Sequence, residues 1–145
     1  MPTVRSVLAS KVNGVESTTP QATVLDAVHQ MNEHKIGALV VMDGGQVVGM
    51  FTERDVLRRV VGDGRDPAST KISQVMTSKV VCCDPDSDLD EVATLMRNRR
   101  IRHVPVCNGS GKLMGMVSIG DLNAMHTSTQ EATIHFLNEY IYGRA

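Results

Sequence analysis

Tryptophan is absent from this sequence, and tyrosine and phenylalanine occur twice each. Aromatics at 3% argue against a stacking platform for single-stranded nucleic acid. Excess charge is missing too. A formal net charge of −1 offers no bulk attraction to nucleic acid or to a membrane surface. No apolar run approaches the roughly 18 residues of a membrane span. The opening stretch from Met1 to Leu8 is too short and polar to read as a signal peptide. These absences predict a cytoplasmic protein with neither nucleic acid nor membrane as partner. Cysteines number three, Cys82, Cys83 and Cys107. The odd count gives no disulfide framework, and no C-x-x-C or His-rich spacing suggests a metal. Cys82-Cys83 reads as strand, one thiol inward and one outward.

What is present is a repeat. Gly49-Met50-Phe51-Thr52-Glu53-Arg54-Asp55 and Gly115-Met116-Val117-Ser118-Ile119-Gly120-Asp121 share a skeleton of Gly, two apolar residues, a hydroxyl and Asp. Longer units surround both copies. Pro20 cannot donate to a ladder and ends a short strand over 12–18. Thr23 with Asp26 is an N-cap signature, and Val24, Ala27, Val28 and Met31 follow at helical spacing to near His34. Ile36 to Met42 reads as a strand covered on both faces. Asp43-Gly44-Gly45 is turn chemistry, with Gln46 to Phe51 as hairpin partner. Thr52 opens a helix whose apolar stripe is Val56, Leu57, Val60 and Val61.

The pattern then restarts 65 residues on, from Pro20 to Pro85. Asp88 with Glu91 repeats the cap. Leu89, Val92, Ala93 and Met96 repeat the helix, and Ile101 to Val106 the strand. The second turn, Asn108-Gly109-Ser110-Gly111, is one residue longer, so Gly49 matches Gly115. Each unit is strand, helix, strand, strand, helix. A unit of roughly 60 residues is marginal alone, so the two are expected to form one pseudo-symmetric α+β core packed through their sheets. The expected division is 1–62 for an N-terminal segment and first unit, 63–76 for a linker, 77–126 for the second unit, and 127–145 for a C-terminal helix. Within the linker block, Gly62 to Ser69 is turn-rich and Lys71 to Met76 suits one helical turn. Residues 3–11 suit one or two turns with Val4, Val7 and Leu8 on one side. The C-terminal helix, with Ile134, Leu137 and Ile141 on one stripe, fits either its own core or a subunit contact.

Thr52-x-x-Asp55 and Ser118-x-x-Asp121 are capping boxes in form, with Asp for Glu. The same geometry suits a nucleotide. A helix N-terminus offers N–H groups to phosphate, a nearby Gly permits close approach, and an Asp carboxylate can accept from a ribose diol. The units also differ. Where the first has Gly37-Ala38, the second has Arg102-His103, interrupting an apolar strand. With Arg54 and Lys79 these form a candidate anion-binding cluster, because Arg matches phosphate bidentately.

The duplicated unit, the paired Gly-x-x-Thr/Ser-x-x-Asp motifs, Arg102-His103-Val104-Pro105-Val106 and the lead-in Val75-Met76-Thr77-Ser78 resemble a tandem CBS-domain pair. This is the Bateman module of inosine monophosphate dehydrogenase and of the gamma subunit of AMP-activated kinase. The resemblance covers roughly residues 12–126, and the whole chain is similar to small bacterial stand-alone CBS-pair proteins. It implies two clefts, each taking hydroxyl and Asp from one unit and strand walls from the other. The principal cleft would combine Thr52, Arg54 and Asp55 with Thr77, Lys79, Val80, Arg102, His103 and Pro105. Asp55 would hold the ribose, Thr52 and the cations the phosphate, and strand residues the adenine. The second would combine Ser118 and Asp121 with Val15, Gly37 and Ala38, and it lacks the cations for strong phosphate binding. The implied ligand is AMP, ADP, ATP or NAD, acting as a regulatory ligand. S-adenosylmethionine suits the cations less well. The resemblance also implies a homodimer and an unknown regulated protein.

Two other readings stand beside this sensor. In one, the fold is a ligand-free interaction module and both Asp residues are caps only. In the other, the chain is an enzyme using Cys107, His103 or His126. No catalytic constellation stands out by spacing, so the expectation is that it is not an enzyme.

Overall fold

The computed structural model describes residues 2–11 and 14–126; the expected C-terminal helix lies outside the described residues. In order, the elements are α1 (Val4–Ser10), β1 (Ser17–Thr18), α2 (Val24–His34), β2 (Ala38–Asp43), β3 (Gln46–Thr52) and α3 (Glu53–Asp55). A π-helical stretch, Val56–Val61, follows α3 directly. Then come α4 (Ile72–Val75), α5 (Leu89–Arg99), β4 (His103–Cys107), β5 (Leu113–Ser118) and α6 (Ile119–His126).

The duplication extends to single hydrogen bonds. β2 pairs antiparallel with β3 and β4 with β5, and Val41 faces Gly49 as Val106 faces Gly115. The register slips one step later in both hairpins, between Val41 and Met42 and between Val106 and Cys107. A bulge at matching positions re-aims both strand ends alike. Both long helices close on a left-handed residue, Lys35 (φ 54°) and Arg100 (φ 55°). The next amides, of Ile36 and Ile101, return to Met31 and Met96. These paired bonds satisfy carbonyls that a helix end leaves free. Thr23 caps α2 by accepting from the Asp26 amide at 3.1 Å. Asp88 caps α5 from the Asp90 amide at 2.9 Å, rather than through Glu91.

The first strand of the repeat is short. β1 has two residues, parallel to β2. Its counterpart is a lone bridge, Cys83 to Val106. The second sheet is therefore two-stranded.

The lead-in helices are exchanged between units. Val4 and Val7 of α1, which precedes the first unit, are buried in the second unit's core with Leu89, Met96 and Val104. Ile72 and Val75 of α4, which precedes the second unit, are buried in the first unit's core with Leu39 and Phe51. Backbone bonds fix the exchange at matching positions: Val4 N–H to Ser87 and Ile72 N–H to Ala22, Arg5 to Pro85 and Ser73 to Pro20. Fully burying such side chains contributes about 1.5–3 kcal/mol each. A third cluster joins the sheets, with Ala38, Val40 and Met50 against Val80, Leu113 and Met116.

One expected stripe does not hold. Val60 is buried, but Leu57 and Val61 are each 66% exposed. The spacing Val56, Leu57, Val60, Val61 assumes 3.6 residues per turn. The helix here is π-wound, with the Gly62 amide bonding to Leu57 and the Arg65 amide to Val60. That wider winding rotates Leu57 and Val61 off the core.

Candidate ligand-binding cleft

α3 begins where β3 ends, so its first residues sit at the mouth between the units. Asp55 is 5% exposed. Its Oδ2 accepts from the Thr52 amide at 3.0 Å and faces the Thr52 hydroxyl at 3.4 Å. Its Oδ1 accepts from Thr77 Oγ1 at 3.2 Å, with Arg59 Nε at 3.7 Å. Thr77 is itself fixed by two backbone bonds to Met50, at 2.9 and 2.8 Å. A carboxylate has about four lone-pair directions; three hydrogen bonds fill all but one, on Oδ1, toward which Arg59 also leans.

Asp55 lines a cavity of about 510 Å³ formed by both units. From the first unit come Thr52, Glu53, Arg54, Asp55 and Arg58, with Gly37 and Met50 beneath. Thr77, Lys79, Val80 and Val81 form one wall, and Arg102, His103 and Pro105 another. All nine residues expected at the principal cleft therefore line one space. Five cations (Arg54, Arg58, Lys79, Arg99 and Arg102) face two carboxylates there. The surplus suits an anion.

His103 is half-buried, and burial pulls its pKa below the ordinary histidine value. Glu53 opposes that shift, Arg102 adds to it, and Asp121 and Lys11 act weakly in opposite senses. At neutral pH it is a neutral imidazole, which can both donate and accept. Arg54 is partly committed, since its Nη1 donates to the Arg100 carbonyl at 2.9 Å across the units. That bond satisfies the end of α5 and holds the guanidinium at the cavity rim.

Two expected features differ. Two amides at the start of α3 are already engaged: Thr52 N–H goes to Asp55 and Glu53 N–H to the Gly37 carbonyl. The motif glycines also do not open the strand to a ligand. A Cβ on Gly49 would lie 2.6 Å from Met76 Sδ and 3.0 Å from the Thr77 carbonyl. On Gly115 it would lie 2.7 Å from a Leu8 methyl. Each glycine makes room for an exchanged lead-in segment.

The residues expected at the second cleft each have partners of their own. Gly37 lines the first cavity. Ala38 and Val15 belong to the apolar cluster between the sheets. Ser118 and Asp121 cap α6 reciprocally, at 2.8 and 3.1 Å. Lys11 then sits on this cap, with Nζ 2.9 Å from Asp121 and 2.6 Å from the Met116 carbonyl. Burial pushes the Asp121 carboxyl up, but the Ser118 amide and Lys11 outweigh it and hold the pKa below the usual aspartate value. An ammonium from the same chain is thus paired with the carboxylate expected at the second cleft.

Residues that the sequence reading missed include Glu53, Arg58 and Arg99. Arg58 follows Arg54 by one helical turn, a spacing that was available. Arg99 reaches the cavity from the end of α5, which local pattern does not reveal. Among the described residues no group of three His, Cys, Asp or Glu side chains stands together to hold a metal. Among them, too, no helix is long and apolar enough to cross a membrane.

Comparison with known proteins places this geometry. The CBS-domain family model matches twice, over residues 5–62 and 72–124. The chain belongs to the CBS-domain family. This CBS pair is 37% identical to the CBS domain-containing protein CBSX3, mitochondrial, of Arabidopsis thaliana, over 97% of this chain and 72% of that protein. The structure of the CBS-domain containing protein ATU1752 from Agrobacterium tumefaciens has a TM-score of 0.81 and 37% identity, over 87% of this chain and 100% of that one. The CBS domain pair of protein MJ0100, in complex with 5'-methylthioadenosine and S-adenosyl-L-methionine, shares the fold at a TM-score of 0.75 and 22% identity, over 86% and 95% of the two chains. None of these matches indicates an enzymatic family for the pair.

Proposed function

We propose that this CBS pair is a non-enzymatic sensor that binds an adenine nucleotide in the cavity between its units. The observation that carries the reading is the joint lining of that cavity by Asp55 and by cations from both units. Its volume of about 510 Å³ lies within the roughly 300–1,000 Å³ of small-ligand sites. Asp55 accepts from the ribose hydroxyls. Arg54, Lys79 and Arg102 hold phosphate, and the Thr52 hydroxyl joins them on turning away from Asp55. Val80, Pro105 and Thr77 flank the base, and neutral His103 bonds its edge. The adenosine ligands of the MJ0100 pair support the ligand class by fold alone.

Both units wall the cavity, so a ligand bound there favours whichever arrangement of the units gives it more contacts. It shifts the equilibrium only by its difference in affinity for the two arrangements. A homodimer belongs to the same reading, supported by the exposed Val61 of the π-helical stretch, whereas the exposed Leu57 faces the cavity. Such a dimer would pass a change between units to a regulated partner.

A thermal-shift panel of AMP, ADP, ATP, NAD and S-adenosylmethionine, with native mass spectrometry of purified protein, tests the proposal. One or more adenylates should raise Tm in proportion to ln(1 + [L]/Kd), and the Arg102→Gln variant should weaken that effect. No response to any of the five, and no co-purifying nucleotide, would overturn it in favour of a ligand-free interaction module.

A further inference from the structure

The three cysteines play no part in the cleft chemistry, yet two of them touch. Cys83 turns inward and packs against the second core. Cys82 turns outward, and its Sγ lies 3.3 Å from Cys107 Sγ, 25 residues along the chain. The local ladder explains the meeting. Cys83 bridges Val106 in parallel, its amide bonding to the Pro105 carbonyl and its carbonyl accepting from the Cys107 amide. Cys82 therefore lies beside Pro105, and Cys107 follows two residues later on the same strand face. A bonded pair needs an S–S distance of about 2.05 Å, so the two sulfurs must close further from contact.

We propose that Cys82 and Cys107 are a redox modification site, closed by hydrogen peroxide into an intramolecular disulfide. One sulfur, as thiolate, attacks the peroxide O–O bond; an S–O bond forms, and the leaving oxygen departs as water after taking up a proton. The second thiol sulfur then displaces the hydroxyl of that sulfenic acid. The S–S bond forms, the S–O bond breaks, and the second water leaves. Two thiols are oxidised by two electrons and one peroxide is reduced to two waters, so no further co-reactant is needed.

The closed bond would act as a clasp. Val80 and Val81, immediately before Cys82, line one wall of the cavity, and Pro105, two residues before Cys107, lines another. The bond would tie those walls together at one end. Partial desolvation, reinforced by the Cys107 contact, pushes the otherwise exposed Cys82 thiol up to about 12, and burial pushes Cys83 up to about 11. Closure is accordingly slow at neutral pH and accelerates as pH rises, because the thiolate is the attacking species.

The test is to oxidise the full chain with hydrogen peroxide, quench, denature and count free thiols by alkylation and intact mass. Wild type should lose two hydrogen masses, fall from three alkylatable thiols to one, and remain a single chain on a non-reducing gel. Cys83→Ser should still close, whereas Cys82→Ser and Cys107→Ser should not. Closure should raise Tm by roughly 5–10 °C, reversibly with dithiothreitol. It should also slow amide exchange at residues 79–83. All these readouts are taken without nucleotide, so they stand or fall independently of ligand binding. Oxygen addition to Cys83→Ser without mass loss, a crosslink between chains, or continued closure in Cys82→Ser would overturn the proposal.

Discussion

Replacing Asp55 by alanine separates its two roles. The carboxylate is 5% exposed and accepts from the Thr52 amide at 3.0 Å and the Thr77 hydroxyl at 3.2 Å. Truncation leaves both donors without an acceptor in a half-buried setting. An unsatisfied buried donor costs about 1–3 kcal/mol. The Thr77 hydroxyl can rotate toward water, so its share is at the low end. The sum is about 2–4 kcal/mol. Asp121→Ala should cost less, about 0.5–2 kcal/mol, the range of a lost cap, because its side chain is 22% exposed and its Lys11 partner 34%, where an ion pair adds little. Urea denaturation of the two variants without nucleotide measures the difference, provided the m-value is unchanged. Asp55→Asn keeps one oxygen acceptor and should retain most of the fold while losing nucleotide-induced stabilisation. Equal costs for Asp55→Ala and Asp121→Ala would refute the argument from burial. A full nucleotide-induced Tm shift in Asp55→Asn would refute the ribose role.

Gly49→Ala should destabilise by about 1–3 kcal/mol, since the new methyl meets Met76 and the Thr77 carbonyl; thermal melts check it, and an unchanged Tm would mean the exchanged segment yields freely. His103 has a folded-state pKa depressed by burial, so the unfolded chain takes up its proton first. Its stabilising contribution is therefore present above the unfolded value, near 6.5, and is lost as pH falls through that value toward the folded one. The stability of wild type relative to His103→Gln should be flat above about pH 6.5 and fall below it; NMR titration of the imidazole gives the folded pKa directly. Asp121 behaves with the usual carboxylate sign: its lowered pKa stabilises above about 3.8 and is lost on further acidification. Lys11→Met removes one cause of that shift and should move the acid-unfolding midpoint upward.

The sequence conveyed the duplication almost residue by residue, because each unit repeats the same local chemistry. Thr23 and Asp88 start matching helices, Lys35 and Arg100 end them, and glycines turn both hairpins. The nine residues named for the principal cleft reach one cavity for a different reason: the family resemblance supplied the cross-unit pairing that no local pattern contains. What stayed hidden was non-local. The periodicity of Val4 and Val7 shows a buried face but not which core receives it. Lys11 meets Asp121 from 110 positions away, which no window of sequence can reveal. Leu57 and Val61 were misread because an apolar stripe presumes a helical pitch, and the pitch changes after Asp55.

The exchange of α1 and α4 bears on how the chain can be divided. A cut in the turn over residues 62–66 would leave each half holding the helix the other requires. The N-terminal half keeps Val4 and Val7 without the core they fill; the C-terminal half keeps Ile72 and Val75 likewise. Neither half could satisfy its apolar surface by itself, yet together they would reconstitute both cores. Such reciprocal dependence is what a split reporter needs, because its signal must come from association rather than from either fragment.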